Sequence, residues 1–403
     1  MLLNSVIMNK KLVLFGAGKI GRSFIGQLFS RGGYEVVFID VNQQLVEELN
    51  HRGEYPVIIK GTEDQNILVK QVRGVCAADA EAVIREVASA DLAATAVGQA
   101  GLHGIFPLLA SGLMQRHSDD PSRVLDIIIA ENLRNAAVFF REELGKRLPA
   151  DYPMDALVGL VETSIGKMVP IMTHKDLQED PLQVFAEAYN TLILDGKAFK
   201  GEIPALEGLA PKENMKAWVD RKLFIHNLGH AAAAYLGFVH FPQAQYLYEV
   251  LDNPEVQREV RAVMQQSAGC LLKKYPGEFT SESLEEHIDD LLERFANRAL
   301  GDTLFRVGCD LPRKLGPDDR VVGAVRLAVE TASPFSKILK VLVCGCRFRA
   351  TDENGNMLSG DIEFARIYER GIQHVLTRIC RFDPVSDHTI LEELIRLDRS
   401  MVI

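Results

Sequence analysis

Three residues in one short apolar segment carry groups able to handle a proton: Lys222, Asn227 and His230, within RKLFIHNLGH, Arg221 to His230. At about 100° per residue on an α-helix, Asn227 lies ~140° and His230 ~80° round from Lys222, so all three fit one face. The rest of the segment, LFI and then AAAAYLG, is apolar. An amine, an amide and an imidazole on such a helix need polar partners, since burying a polar group unpaired costs about 1–3 kcal/mol. A substrate cleft supplies them. A lysine whose pKa is lowered by burial takes the proton of a hydroxyl group. Asparagine and histidine then donate hydrogen bonds to the oxygen left behind. Spacing alone leaves a solvated lysine and a structural histidine open. His226 and His230 are four apart, but no HExxH pattern accompanies them and no metal is expected.

Proton removal from an alcohol becomes oxidation only if a hydride acceptor is present. The stretch LVLFGAGKIGRSFIGQLFSRGGYEVVFID, Leu12 to Asp40, predicts one. Gly16-Ala17-Gly18-Lys19-Ile20-Gly21 is a GxGxxG pattern with a β-type run before it and a helical run after it. The first glycine permits the turn, the second lets backbone approach a pyrophosphate, and the third lets helix and strand pack closely. Asp40 closes the second strand, where a carboxylate accepts from both ribose hydroxyls and repels a 2′-phosphate. Val41 and Asn42 follow, not arginine, so NAD is favoured over NADP. The plain alternative for Asp40 is a cap of the next helix. Val97 and Gly98 end a later apolar strand in TAVG, where small residues leave room for a cofactor on the sheet edge or simply end a strand.

These residues need a scaffold. Up to about residue 165, apolar β-type runs alternate with helical stretches. KLVLF precedes a helix over 19–31, and YEVVFID precedes one over 42–52. YPVIIK and NILVKQV look like an inserted hairpin. DLAATAV precedes a helix after Gly101, VLDIIIA one from Glu131, and ALVGLVETSI follows. That pattern predicts a parallel sheet covered on both faces. PLQVFAEAYNTLILDG is a candidate further strand, and long helical patterns follow over 212–237, 242–274 and 281–299. The fold class is therefore an α/β Rossmann-type doubly wound sheet followed by a mainly α-helical C-terminal domain. The domains are taken as 1–200 for NAD and 201–403 for substrate and catalysis.

Composition narrows the partners. The 403 residues carry a net charge of −10, which argues against nucleic-acid or anionic-membrane surfaces. No apolar run approaches the ~20 residues of a membrane span. The start MLLNSVIMNKK lacks an export signal's cationic opening, and Met8 is a second candidate start. Six scattered cysteines fit reduced thiols and a cytoplasmic location.

At this point the chain resembles the polyol-specific long-chain dehydrogenases. FGAGKIGRSFIG, IDVN, TAVG, AENL, RKLFIHNLGHAAAAYLG, RFANRALGDTLFRVG and PRKLGPDDRVV carry the resemblance over nearly the whole length. It implies a metal-independent enzyme with Lys222 as general base and with Asn227 and His230 placing the reacting oxygen. It also implies substrate roles for Asn132 of the EN motif and for the Arg/Lys pair Arg306 and Lys314. Within the family, a polyol-phosphate enzyme interconverting mannitol 1-phosphate and fructose 6-phosphate is the first expectation. An unphosphorylated polyol or a hexonate is the alternative. Two departures bear on that choice. Ile165-Gly166-Lys167-Met168 stands where the family commonly has VDRI, with Glu162 a possible substitute acid. Cys309 stands where the phosphate branch tends to have arginine, leaving Lys167, Arg313 and Lys314 as candidate phosphate partners. A non-catalytic NAD-binding regulator on the same fold is a third reading, against which the Lys/Asn/His set argues. A monomer or weak dimer is expected.

Overall fold

The structure, a computed structural model, describes residues 10–61 and 63–401. The candidate start at Met8 lies outside them. The chain divides into two compact units, one ending at Trp218 and the other beginning at Val219.

The strands of the first unit are β1 (Lys11–Phe15), β2 (Glu35–Asp40), β3 (Glu54–Ile59), β4 (Gln65–Lys70), β5 (Val72–Cys76), β6 (Leu92–Thr95), β7 (Leu125–Ile129), β8 (Val158–Ser164), β9 (Val184–Ala186), β10 (Leu192–Asp195) and β11 (Leu209–Lys212). Eight of them form one sheet in the order β11-β10-β8-β7-β6-β1-β2-β5. Neighbours are parallel throughout except β8 with β10. Alternate strand residues enter two separate cores. Leu12, Leu14, Val36 and Phe38 pack on one face, and Val13, Phe15, Val37 and Ile39 on the other. That double burial explains the near-continuous apolar strands. The chain leaves β1 for β2 on one side, while β6 lies on the other. Such a reversal opens a crevice at the carboxyl ends of the strands, where ligands bind in this class of sheet.

β3 and β4 pair as the expected antiparallel hairpin, and β9 joins β3 in parallel to make a three-stranded sheet. The stretch read as one further strand is therefore two, β9 and β10, which serve different sheets. Lys212, placed at the start of a helix by its pattern, lies instead in β11, held by parallel pairing with β10.

The second unit is helical among its described residues. Its spine is Leu228–His240, in which Ala231 to Ala234 are fully buried. Small residues let neighbours approach: a Cβ on Gly229 would meet Met264, and one on Gly237 would meet Val250. The hydroxyl of Tyr235 donates to the carbonyl of Gly308 at 3.1 Å. The pattern read as one helix over 242–274 is two, Leu247–Leu251 and Pro254–Lys274. Asn253 starts the second by accepting from the N–H groups of Glu255 and Val256, with Pro254 in the first turn. An Asn-Pro pair is a helix start that apolar periodicity alone does not reveal.

The turn after β1 depends on its first glycine. Gly16 has φ of 97°, and a Cβ there would lie 2.4 Å from the carbonyl oxygen of Ala96. Gly16→Ala is expected to lower stability by about 1–3 kcal/mol, the cost of a strained backbone position. A urea-unfolding midpoint equal to that of the parent chain would contradict this account of the turn.

Candidate active site

In the first unit the carboxyl edge of the sheet is stitched together by two acids. Asp40 Oδ2 accepts from the N–H of Ala17 at 2.7 Å, and Oδ1 accepts from Asn42 at 2.9 Å. The helix Gln43–Arg52 is capped by the Asn42 side chain, which accepts from Leu45. The capping alternative for Asp40 is thus filled by Asn42. Each Asp40 oxygen keeps a second lone pair, the capacity that two ribose hydroxyls need.

The glycines of the turn differ in what surrounds them. A Cβ on Gly21 would stand 2.0 Å from the Gly16 carbonyl oxygen, so the helix–strand approach excludes one. A Cβ on Gly18 would meet nothing within 4 Å. Gly18 borders a cavity of about 480 Å³ that is also lined by Gly16, Asp40, Val41, Ala77, Ala96, Val97 and Ile105. Lys19 is exposed, and Ile20 packs against the sheet core. The helix over 19–31 contains a π-type turn, Gly21–Gly26. The open face at Gly18, the cavity and the spare lone pairs of Asp40 fit a dinucleotide.

The second acid, Glu131, was not singled out by its sequence context. It is buried and accepts from the N–H groups of Val97 at 2.9 Å and Gly98 at 3.0 Å. Burial raises its pKa, with those two hydrogen bonds working against the rise. Gly98 has φ of 74°. Glu131 therefore fixes the loop after β6 to the loop after β7, and Asn132 follows it, exposed, in that second loop. The helix expected from Glu131 begins only at Ala136. The five residues before it are diverted into this loop, with Asn135 at φ of 53°. Glu162 Oε1 accepts from the N–H of Ala137 at 2.8 Å at the start of that helix. Lys167 is buried, donates to Asn190 Oδ1 at 2.9 Å and lies 5.2 Å from the centre of the Phe24 ring.

In the second unit, Lys222, Asn227 and His230 are the half-buried positions of 222–230, and every residue between them is buried. Lys222–Asn227 forms a π-type turn between helical segments. Its i→i+5 bonding widens the turn and brings residues five apart closer to one face than α-geometry does. The sequence pattern gave no sign of this.

The Lys222 amine is lowered from 10.5 to about 8, by burial first and by neighbouring Arg320 second, with Asp319 opposing. That drop corresponds to about 3 kcal/mol of lost preference for the ammonium, so desolvation outweighs nearby Asp319. Arg320 donates to Asp319 Oδ1 at 2.8 Å. His226 is buried and kept neutral by its burial, with its ring centre 5.6 Å from that of Phe295. His230 stacks on Phe295, ring centres 4.6 Å apart and planes 8° from parallel. Its Nε2 lies 3.3 Å from Asp302 Oδ2. The other oxygen of Asp302 takes Arg306 in a short ion pair.

Lys314 is buried and donates to the Val307 carbonyl at 2.6 Å. Its amine is also lowered to about 8, by burial and then by Arg320. Arg313 bonds Asp310 and Asp319. Cys309 is half-buried, and burial raises its thiol. The structure thus gathers Lys222, His230, Arg306 and Lys314 around Asp302, Asp319 and Arg320. Only the four-residue spacing of Asp302 and Arg306 hinted at those three additions. Among the described residues, no group of three or more His, Cys, Asp or Glu side chains is placed to hold a metal ion.

Residues 10–208 match the family model of the mannitol dehydrogenase Rossmann domain, and residues 214–385 match that of the mannitol dehydrogenase C-terminal domain. The chain belongs to the mannitol dehydrogenase family. As a mannitol dehydrogenase family member it is an NAD-dependent oxidoreductase acting on a secondary alcohol. Its fold is similar to that of Pseudomonas fluorescens mannitol 2-dehydrogenase, solved as a ternary complex with NAD and D-mannitol. The TM-score is 0.77 at 16% identity, covering 98% of this chain and 92% of that one. It is also similar to a D-sorbitol dehydrogenase solved in substrate-free form, with a TM-score of 0.81 at 17% identity, covering 97% and 93%. No helix among the described residues is long and apolar enough to cross a membrane.

The two glycines predict different phenotypes. Gly18→Val is expected to leave the thermal midpoint unchanged, since its side chain meets open space, and to weaken NADH binding at least tenfold. Fluorescence titration with NADH checks the second effect, and undiminished affinity would place the pyrophosphate elsewhere.

Proposed function

We propose that the chain interconverts an unphosphorylated polyol and its ketose, with Lys222 as the group that takes and returns the hydroxyl proton. The observation that carries this is the Lys222 amine, held near neutrality on a face whose other accessible polar groups are Asn227 and His230. NAD supplies the hydride acceptor. With its amine neutral, Lys222 accepts the proton of the substrate hydroxyl, and its ammonium returns a proton in reduction. Asn227 and His230 border the same oxygen and orient it. Asn132, Arg306 and Lys314 are assigned to the remaining hydroxyls. Val97 and Gly98, fixed by Glu131, are assigned to the cofactor along with the glycine turn and Asp40. The first domain is assigned to NAD, the second to the substrate, and the protein to the cytoplasm as a monomer or weak dimer.

The preference for a neutral substrate comes from the cations. Each one the sequence offers to a phosphate has a protein partner: Lys167 has Asn190, Arg313 has Asp310 and Asp319, Lys314 has the Val307 carbonyl, and Arg306 has Asp302. The structural relatives named above, a mannitol 2-dehydrogenase and a D-sorbitol dehydrogenase, support the same preference. An anionic substrate, such as fructose 6-phosphate or a uronate, is the second reading. It is favoured by the neighbourhood of Lys222, Lys314 and Arg320, in which cations outnumber Asp319.

A panel of fructose, fructose 6-phosphate, fructuronate and tagaturonate with NADH decides between them. Consumption of NADH fastest with free fructose is expected, and turnover confined to the phosphate would reverse the assignment. Lys222→Ala is expected to lower kcat by roughly 10²–10⁴-fold with NADH binding retained. Undiminished turnover would remove Lys222 from the chemistry. Because oxidation uses the neutral amine, its rate should rise with pH through about 8, and reduction should fall over the same range. A flat profile in both directions would show that this proton transfer does not limit the rate.

A further inference from the structure

Asp302 is an acid of the second unit that the proposed reaction leaves without a part. It is 5% exposed. Its Oδ2 lies 3.3 Å from Nε2 of His230, and its Oδ1 takes the guanidinium of Arg306. That His230 nitrogen is shut off from solvent and makes no hydrogen bond of good geometry; the carboxylate 3.3 Å away is the ion-pair partner it faces. The imidazole lies flat on Phe295 with 8° between the planes, which holds the plane of the ring. The 18% of the side chain that stays accessible lies away from Nε2.

We propose that Asp302 is a positioning residue that keeps the imidazole proton of His230 on Nε2, leaving Nδ1 as a lone-pair acceptor for a substrate hydroxyl. This rests on the reading that His230 borders the substrate. A neutral imidazole has one N–H, and the partner of one nitrogen decides which nitrogen carries it. An ionised carboxylate can only accept, so the nitrogen facing it must be the protonated one. Burial pushes the Asp302 carboxyl up, but His230 and Arg306 more than offset this and hold it below its ordinary range. Burial also lowers His230, against the pull of Asp302, so the pair is a carboxylate and a neutral ring. The sequence reading had His230 donating to the reacting oxygen. With Nε2–H turned inward, Nδ1 of the ring instead accepts a hydrogen bond from a substrate hydroxyl, while the amide of Asn227 remains the donor. Arg306 then acts partly through Asp302 by keeping it ionised.

The test uses the full chain labelled with ¹⁵N-histidine and no substrate. The His230 resonances are assigned by their loss in His230→Gln. The expected result is an Nε2–H pattern in the parent protein. In Asp302→Asn, whose amide donates as well as accepts, a shift toward Nδ1–H is expected. It should come with a fall of roughly 10²-fold in kcat/KM and an unchanged NADH Kd. An Nδ1–H pattern in the parent protein overturns the proposal, whether or not the variant folds. A switched tautomer with undiminished kcat/KM overturns its part in the reaction. Failure of the proposed function is distinguishable: it would show as turnover retained in Lys222→Ala, which the tautomer measurement does not touch.

Discussion

Desolvation of one half-buried helix face is the constraint on which the proposed chemistry depends. The run from Lys222 to Gly237 is buried except at three half-buried polar side chains, Lys222, Asn227 and His230. An amine there keeps little of the hydration that normally stabilises its charge, and nearby Asp319 is shared with Arg320. The outcome is a lysine whose pKa is lowered to about 8, below that of an exposed lysine. The same desolvation keeps His226 and His230 neutral. One physical cause thus sets the protonation state of the amine and both rings.

The first unit solves a different problem, that of bringing backbone close to an anionic cofactor without a side chain in the way. Gly16 and Gly21 fold the turn on itself, and Gly18 leaves an open face. Two carboxylates brace the surroundings through backbone N–H groups, Asp40 on the turn itself and Glu131 on the loop after β6. Neither forms an ion pair in doing so. A carboxylate that accepts from backbone N–H fixes a loop without bringing a positive side chain to it.

Cations in the second unit are similarly committed. Arg306, Arg313, Lys314 and Arg320 are each tied to an acid or a carbonyl, so their charges are partly spent inside the protein. A polyol asks for directional hydrogen bonds more than for net charge, and a lattice of engaged cations with remaining N–H groups offers those.

The sequence determined the local chemistry. GxGxxG between a strand and a helix, an acid at the end of the second strand, and Lys/Asn/His on an apolar helix are short-range patterns, and short-range sterics and periodicity suffice to read them. It also determined the two-part architecture, because strands buried on both faces and amphipathic helices leave different apolar periods. Tertiary structure decided the rest. The Asn253 start, the strand status of Lys212, the split of β9 from β10 and the delayed helix after Glu131 all turn on partners distant in sequence or on caps that override periodicity. The π-type turn at Lys222 and the stacking of Phe295 on His230 were invisible for the same reason. How far a buried lysine's pKa falls, and which nitrogen of a histidine is turned inward, depend on what surrounds them in space, and only the folded chain supplies those neighbours.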